Sequence, residues 1–547
     1  MLEDIDLSAI QDESLRKQIR QLLNLLEKQA ADLRALQEAN QRLRDENNHL
    51  KGEQGKPDVK ANKMASTETS KHSSETERKQ KRKRHASSKK AEIKPNRQEV
   101  VKVRAFELPA DAQFKGYVDV VVQDIVVKTD NVLFRKEKYY SPSTGKTYLA
   151  SLPRGYEGEY GPGVKALGLD LYFEVGASEP KILGLLQRVG LKISKGKFSN
   201  LLIKGLDVFH AESDAVYEGG LRSTDYQQSD STLTRVNGQN QNCHVMCNRF
   251  YTVYRTLAHK DRMSILDVLR NGRPRRFRLN QTALDCLANV QLSQATRQTL
   301  TACASETEMT EEDFQEHLAF LLPKLGHQQR KEITDAAAIA AYWSETDWPI
   351  IEILVCDDAP HYNKLTRRMM LCWVHEGRPY KKLNPIVPLH RQLLDSFLKR
   401  FWDYYRELLA YKQSPSETEH ARLEAVFDEL FATQTGYEAL DERIAKTRAK
   451  QQSLLLVLEY PELPLHNNAS ELGVRRRVRK RDVSFGPRTE AGKRAWDTFM
   501  TLAETTRKLG VNFYAYLHDR ITGANVIPPL ADLITQAAAC SSPAPTW

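Results

Sequence analysis

The apolar and polar positions along this chain change period several times, and each change marks an element. Between residues 12 and 50 apolar residues recur on a heptad. Leu15, Leu22, Leu36, Leu43 and Leu50 fall on one register, with Gln29 interrupting, and Ile19, Leu26 and Leu33 on the other, followed by Asn40 and Asn47. This is the a/d pattern of a coiled coil, in which asparagine at an a position fixes register. Residues 51–99 hold almost no large apolar side chains, so they are expected to stay disordered. Short alternating runs, YVDVVVQDIVV and then TDNVLFRKEKYYSPSTGKTYLASL, predict a small β unit over 100–160, with a turn at SPSTGK.

Helical periods return over 161–210. A segment ending near Arg188, a turn at Val189–Gly190–Leu191 and a helix opened by Ser194 have the form of a helix-turn-helix. Lys195 and Lys197 sit in the first turn of its second helix, where such a motif meets DNA. From 211 to 525 strand and helix patterns alternate, with helix-rich stretches near 278–345 and 388–458, before a tail at 526–547. The stretch 224–257 alternates around the hairpin signal Asn237–Gly238, with Asp230 just before the turn. The run IIEILVC, 350–356, is too continuously apolar for an exposed edge and predicts a strand covered on both faces. It ends in Asp357 and Asp358. Carboxylates there emerge where a ligand can sit, but Asp-Asp-Ala-Pro is equally a turn that caps a following helix.

Composition narrows the class. The chain has 547 residues, 81 Lys and Arg against 71 Asp and Glu, and a formal net charge of +10. That favours an anionic partner, nucleic acid before membrane. No apolar run reaches the length of a membrane span, and the acidic N-terminus is unlike a secretory signal. Seven scattered cysteines form no disulfide framework, so a reducing cytoplasm is expected. The segment RKQKRKRHASSKK, 78–90, reads either as a solvated linker or as a phosphate-binding arm.

A third acidic segment is LHNNASELGVRRRVRKR, 465–481, with Glu471 in the first turn of a helix. Six of the eight residues 474–481 are Lys or Arg: Arg475, Arg476, Arg477, Arg479, Lys480 and Arg481. They cannot all face one way on a helix, so some are expected to meet phosphates and others the protein. Asn468-x-x-Glu471 also has the spacing of a capping box, which would make the glutamate a helix cap.

Through CDDAPHYNKLTRRMMLCWVHEGRPYKKL, the HNNASE segment and SDSTLTRVNGQNQNCHVMCNRFYTVY, the chain resembles transposases of the insertion sequence 66 family. The resemblance covers most of residues 100–525. It implies a multidomain α+β protein with a helix-turn-helix region and an RNase H-like catalytic domain. It also implies an Asp-Asp-Glu triad at Asp230, Asp357 and Glu471, with Asp358 the alternative to its neighbour. Carboxylate oxygens favour Mg²⁺ or Mn²⁺, two ions that would activate water or a 3′-hydroxyl for cutting and joining DNA. Cys372 and His375 of the CWVH segment would support the triad, and the helix-rich stretch 388–458 would be an insertion between a strand carrying Leu371–Cys372–Trp373 and the helix of Glu471. Transposon ends and target DNA are the implied partners, alongside a homodimer or higher homo-oligomer formed through the coiled coil, in a bacterial, nucleoid-associated setting. A transposase-derived DNA-binding protein without catalysis, or a nuclease that cuts without joining, are the alternatives. One departure stands out: many members carry a cysteine-rich zinc segment near the N-terminus, and here no cysteine precedes Cys243.

Overall fold

The computed structural model describes residues 10–50, 94–104, 109 and 112–540. The basic segment 78–90 lies outside the described residues, as do most of the polar linker and positions 541–547 of the tail.

The chain is mixed α+β. Its described elements begin with a long helix, α1 (Glu13–Leu50), and a two-stranded hairpin, β1 (Lys138–Ser141) and β2 (Lys146–Leu149). Four helices follow: α2 (Pro162–Leu169), continued by a single π-turn, α3 (Glu179–Arg188), α4 (Lys195–Ile203) and α5 (Asp207–Arg222). The central sheet has the order β5-β4-β3-β6-β7. In it β3 (Tyr226–Val236), β4 (Gln239–Cys247) and β5 (Thr252–Leu257) form an antiparallel meander. On the other side of β3, β6 (Ile353–Cys356) runs parallel to it, and β7 (Arg368–Leu371) parallel to β6. The β3–β4 turn is the Asn237–Gly238 pair, both at positive φ, as a tight hairpin of this type demands.

Between β5 and β6 lie α6 (Arg262–Leu269), α7 (Gln281–Cys286), α8 (Gln294–Ala302), α9 (Glu311–Leu321) and α10 (His327–Trp343). After β7 come α11 (Trp373–Lys382) and three further helices, α12 (Pro388–Tyr411), α13 (Glu417–Phe431) and α14 (Glu438–Arg448). The chain then returns through two short helical turns to α15 (Asn468–Ser484), α16 (Glu490–Lys508), α17 (Phe513–Thr522) and α18 (Leu530–Ala539).

Strand β6 shows why its run is apolar throughout. Leu354 and Cys356 pack into one core, with α10 and α16, and Ile353 and Val355 into a second, with α12, α13 and the aromatic residues Trp373, Phe401 and Phe427. A strand between two cores has no solvent face to spend on polar residues.

Three expectations need correction. The run YVDVVVQDIVV forms no strand among the described residues. Val118, Val120, Val122, Ile125 and Val126 are all exposed, because no neighbouring strand lies alongside to pair with them, and the β unit reduces to the β1–β2 hairpin. The tail is not all tail, since Leu530 and Ile534 of α18 are fully buried and Ala531 lies against Gly219 of α5. The strand expected to carry Leu371–Cys372–Trp373 ends at Leu371, and Trp373 opens α11.

Helix α1 has two faces. Leu15, Leu22, Leu26, Leu33, Leu36, Leu43 and Leu50 of the heptad are exposed. The other face lies on its own chain. Leu23 and Glu27 are buried, and the Glu27 carboxylate accepts the backbone N–H groups of Ile386 (2.9 Å) and Val387 (2.7 Å) at the start of α12. Those N–H groups have no partner within their own helix, so the carboxylate caps α12 from a distance in sequence.

Candidate active site

The three acids come together through register and one helix end. In the parallel pair, Gln228 of β3 lies opposite Val355 of β6. Two residues further along, the two chains carry Asp230 and Asp357, just past the last paired position. Helix α15 then crosses β3 and β4. Asn467 donates its side-chain N–H to Ser229 O at 2.6 Å, and Ala469 N donates to Gln228 Oε1 at 3.2 Å. Asn467 N donates to the Cys372 thiol at 3.2 Å, tying the same helix end to the start of α11. Close approach needs Gly473, where a Cβ would stand 2.8 Å from Val245. Glu471, in the first turn, therefore opens beside the ends of β3 and β6.

The electrostatics follow from this gathering. Burial pushes the Asp230 carboxyl up to about 6, and the nearby charges of Asp357 and Glu471 push it the same way, against a 2.7 Å hydrogen bond from Ser231 N. Asp357 Oδ1 is buried without a hydrogen-bond partner, a costly state for a carboxylate oxygen. Asp358 differs: it is half exposed and pairs with Lys450 at 2.6 Å. Lys450 also pairs with buried Glu376 at 3.0 Å, so the second aspartate helps clamp the insertion onto the sheet.

Glu471 makes no capping-box contact. The helix N-cap is Asn467, without a side-chain cap bond, and Glu471 Oε1 instead accepts from Arg378 Nη2 at 2.9 Å and faces His375 Nε2 at 3.3 Å. Cys372 is buried, its thiol pushed up to about 11 by desolvation, and His375 is held below its usual range, also chiefly by burial. His361, on the turn after Asp358, is lowered for the same reason. Arg378 escapes sequence reasoning because only the fold brings it to Glu471, whereas His361 follows Asp357 within the same short stretch and carries no pattern that marks it.

Among the described residues no three His, Cys, Asp or Glu side chains stand close enough to hold a metal ion as they are. The donor set nonetheless suits a hard divalent cation. Its atoms are carboxylate oxygens, one of them an orphaned buried acceptor, and the outlying member, Glu471, is held by a cation of the protein itself.

The basic cluster divides. Arg477 is wholly buried, 3.2 Å from Asp497 and against the Trp496 ring. Lys480 is buried against Tyr172, and desolvation pulls its amine down to about 7. Arg476 pairs with Glu174 at 2.6 Å and with Glu504, whose carboxyl burial raises to about 7. Burial thus removes Arg477 and Lys480 from any DNA-facing role, and Arg476 is taken up by carboxylates. Arg475 and Arg479 face solvent, and Arg481 is half-buried, donating to Leu233 O.

Helices α3 and α4 are joined by a turn with Gly190 at φ +93, and Ser194 caps α4 by accepting from Lys197 N. Lys195 and Lys197 are exposed, Lys197 at 3.2 Å from Glu159. Cys243 and Cys247 are buried on β4, whereas His244 turns its Nε2 toward His259 O at 3.3 Å.

The mixed sheet, flanked by helices, thus carries acids from three distant segments at one end. Residues 335–495 match the family model described as Transposase IS66 family. A protein of Sinorhizobium fredii (strain NBRC 101917 / NGR234), described as "Uncharacterized protein y4jO", is 30% identical over 328 residues, which are 58% of this chain and 99% of that one. The chain belongs to the IS66 family of transposases, enzymes that act on DNA. No described helix is long and apolar enough to cross a membrane.

Proposed function

We propose that this transposase cuts DNA at element ends and joins the freed 3′-hydroxyl to target DNA, with Asp230, Asp357 and Glu471 holding two Mg²⁺ or Mn²⁺ ions. The sheet order, a three-stranded meander continued by two parallel strands, supports an RNase H-like reading of the domain. The observation that carries the reading is the convergence at the ends of β3 and β6: Asp230 is raised to about 6 partly by the charges of Asp357 and Glu471. Asp357 is favoured over Asp358, because its neighbour is already paired with Lys450.

Bound divalent ions would lower the pKa of an attacking hydroxyl and stabilise the leaving oxygen. The protein's own residues do the rest. Asn467 and Gln228 fix the helix end that presents Glu471, and Cys372 anchors that end to α11. In cutting, a water oxygen adds to the phosphorus as the 3′ oxygen leaves. In joining, that 3′-hydroxyl adds to a target phosphorus and a target 3′ oxygen leaves.

The α3–α4 pair, with Lys195 and Lys197, and the solvent-facing Arg475 and Arg479 are proposed to meet DNA. The exposed leucines of α1 support its pairing with α1 of a second copy. Incubating the chain with labelled element ends tests the whole reading. Mg²⁺-dependent cutting and joining is expected; cutting alone would indicate a nuclease, and binding without either a non-catalytic relative.

A further inference from the structure

Glu471 has an occupant already. Arg378, in the second turn of α11, places Nη2 2.9 Å from Glu471 Oε1, the same oxygen that His375 Nε2 faces at 3.3 Å. Arg378 is about half exposed, at 48%, while Glu471 is at 21%, so the guanidinium stands on the solvent side of the acid. The other outlying carboxylate, Asp358, is paired with Lys450. Of these four acids, Asp230 and Asp357 carry no cation in any described ion pair.

A guanidinium and a divalent cation cannot share one carboxylate oxygen without strong like-charge repulsion. Only Oε1 is engaged, but the guanidinium charge opposes a divalent ion anywhere on that carboxylate, so departure of Arg378 strengthens the hold of Glu471 on a metal. A DNA phosphate offers it a destination, since arginine forms paired hydrogen bonds with phosphate oxygens at least as well as with a carboxylate. The exposed side of the guanidinium is the side from which a strand would approach.

We propose that Arg378 is a positioning residue that holds Glu471 away from metal in the DNA-free protein and releases it to a DNA phosphate, so that cation loading and DNA binding are coupled. The proposal rests on Glu471 being a metal-holding acid. The coupling is reciprocal: DNA tightens metal binding by the same factor as metal tightens DNA binding. A protein built in this way would keep its site unloaded until DNA is present.

The test is Mn²⁺ titration of the full chain, followed by the paramagnetic signal of the free ion, with and without a DNA duplex. Without DNA, Arg378→Gln should bind Mn²⁺ at least about fivefold more tightly than wild type. Arg378→Lys, which keeps the cation, should stay near the wild-type value. In metal-free buffer, Arg378→Gln should also flatten the salt dependence of DNA binding by about 0.9 unit of log–log slope, for one lost phosphate contact. Mn²⁺ affinity in Arg378→Gln equal to or below wild type overturns the proposal. Glu471→Gln separates this failure from that of the underlying assignment. If Glu471→Gln leaves Mn²⁺ binding unchanged with the duplex present, where Arg378 has released the acid, the acid triad itself is wrong. If it weakens binding with the duplex present while Arg378→Gln fails to tighten it without DNA, only the latch is wrong.

Discussion

Lys480 lies in a run that reads as a DNA-binding face, yet it is only 4% exposed, with its amine against the Tyr172 ring and donating to Tyr172 O. Burial pulls the amine from 10.5 down to about 7. The sign of the pH dependence follows. Above pH 10.5 folded and unfolded chains both hold a neutral amine, and Lys480 costs nothing. As pH falls toward 7 the unfolded chain takes up a proton that the folded chain refuses, and stability is lost at up to about 1.4 kcal/mol per pH unit. Below 7 the loss is complete. Between pH 9 and pH 7 it amounts to about 2 kcal/mol. Lys480→Met, similar in length and without charge, should remove this slope. Urea unfolding of both proteins at the two pH values measures it, and the difference between them cancels the contribution of Glu504, which titrates in the same range. The salt dependence of DNA binding should be unchanged. The ring and the carbonyl both favour the ammonium, so the outcome is open to refutation: parallel pH slopes in the two proteins would mean that these attractions outweigh desolvation and that Lys480 stays charged.

Much of the frame could be read from local pattern, because local pattern is what fixes it. The Asn237–Gly238 turn, the Ser194 cap and the doubly buried β6 each follow from residue types within a few positions. What could not be read depends on partners distant in sequence. Arg477 and Lys480 look like surface cations until α2, its π-turn and α16 are packed over them. Val118–Val127 has the alternation of a strand, but alternation cannot supply a neighbour. The heptad of α1 falls on leucines that are exposed in the single chain and says nothing of Glu27, which reaches across the fold to cap α12. At the site, spacing left Asp357 and Asp358 equivalent. Lys450, brought in by the insertion, distinguishes them.

Gly473→Ala should push α15 off β4, costing about 1–3 kcal/mol by overpacking and, with DNA bound, weakening Mn²⁺ binding through displacement of Glu471; unchanged melting and metal affinity would contradict the tight contact with Val245. Glu27→Ala should leave the half-buried Ile386 N–H and the buried Val387 N–H unpaired, at about 1–3 kcal/mol, and raise hydrogen exchange across α1 and the start of α12, whereas unchanged protection there would argue against the docking. Leu22→Glu with Leu36→Glu, on the opposite face, should lower the mass seen by light scattering and spare the docking. A mass equal to wild type would dismiss the helix-pairing proposal.

The most direct test of the acidic site is Mg²⁺-dependent cleavage of labelled element ends by Asp357→Asn and Asp358→Asn, with Glu471→Gln alongside. Asp357 has an orphaned buried oxygen beside Asp230, and Asp358 is committed to Lys450. Asp357→Asn and Glu471→Gln should therefore lose cleavage by orders of magnitude while still binding the ends. Asp358→Asn should cut at a rate near wild type. Near wild-type cutting by Glu471→Gln, or loss in Asp358→Asn with Asp357→Asn still active, would contradict the account.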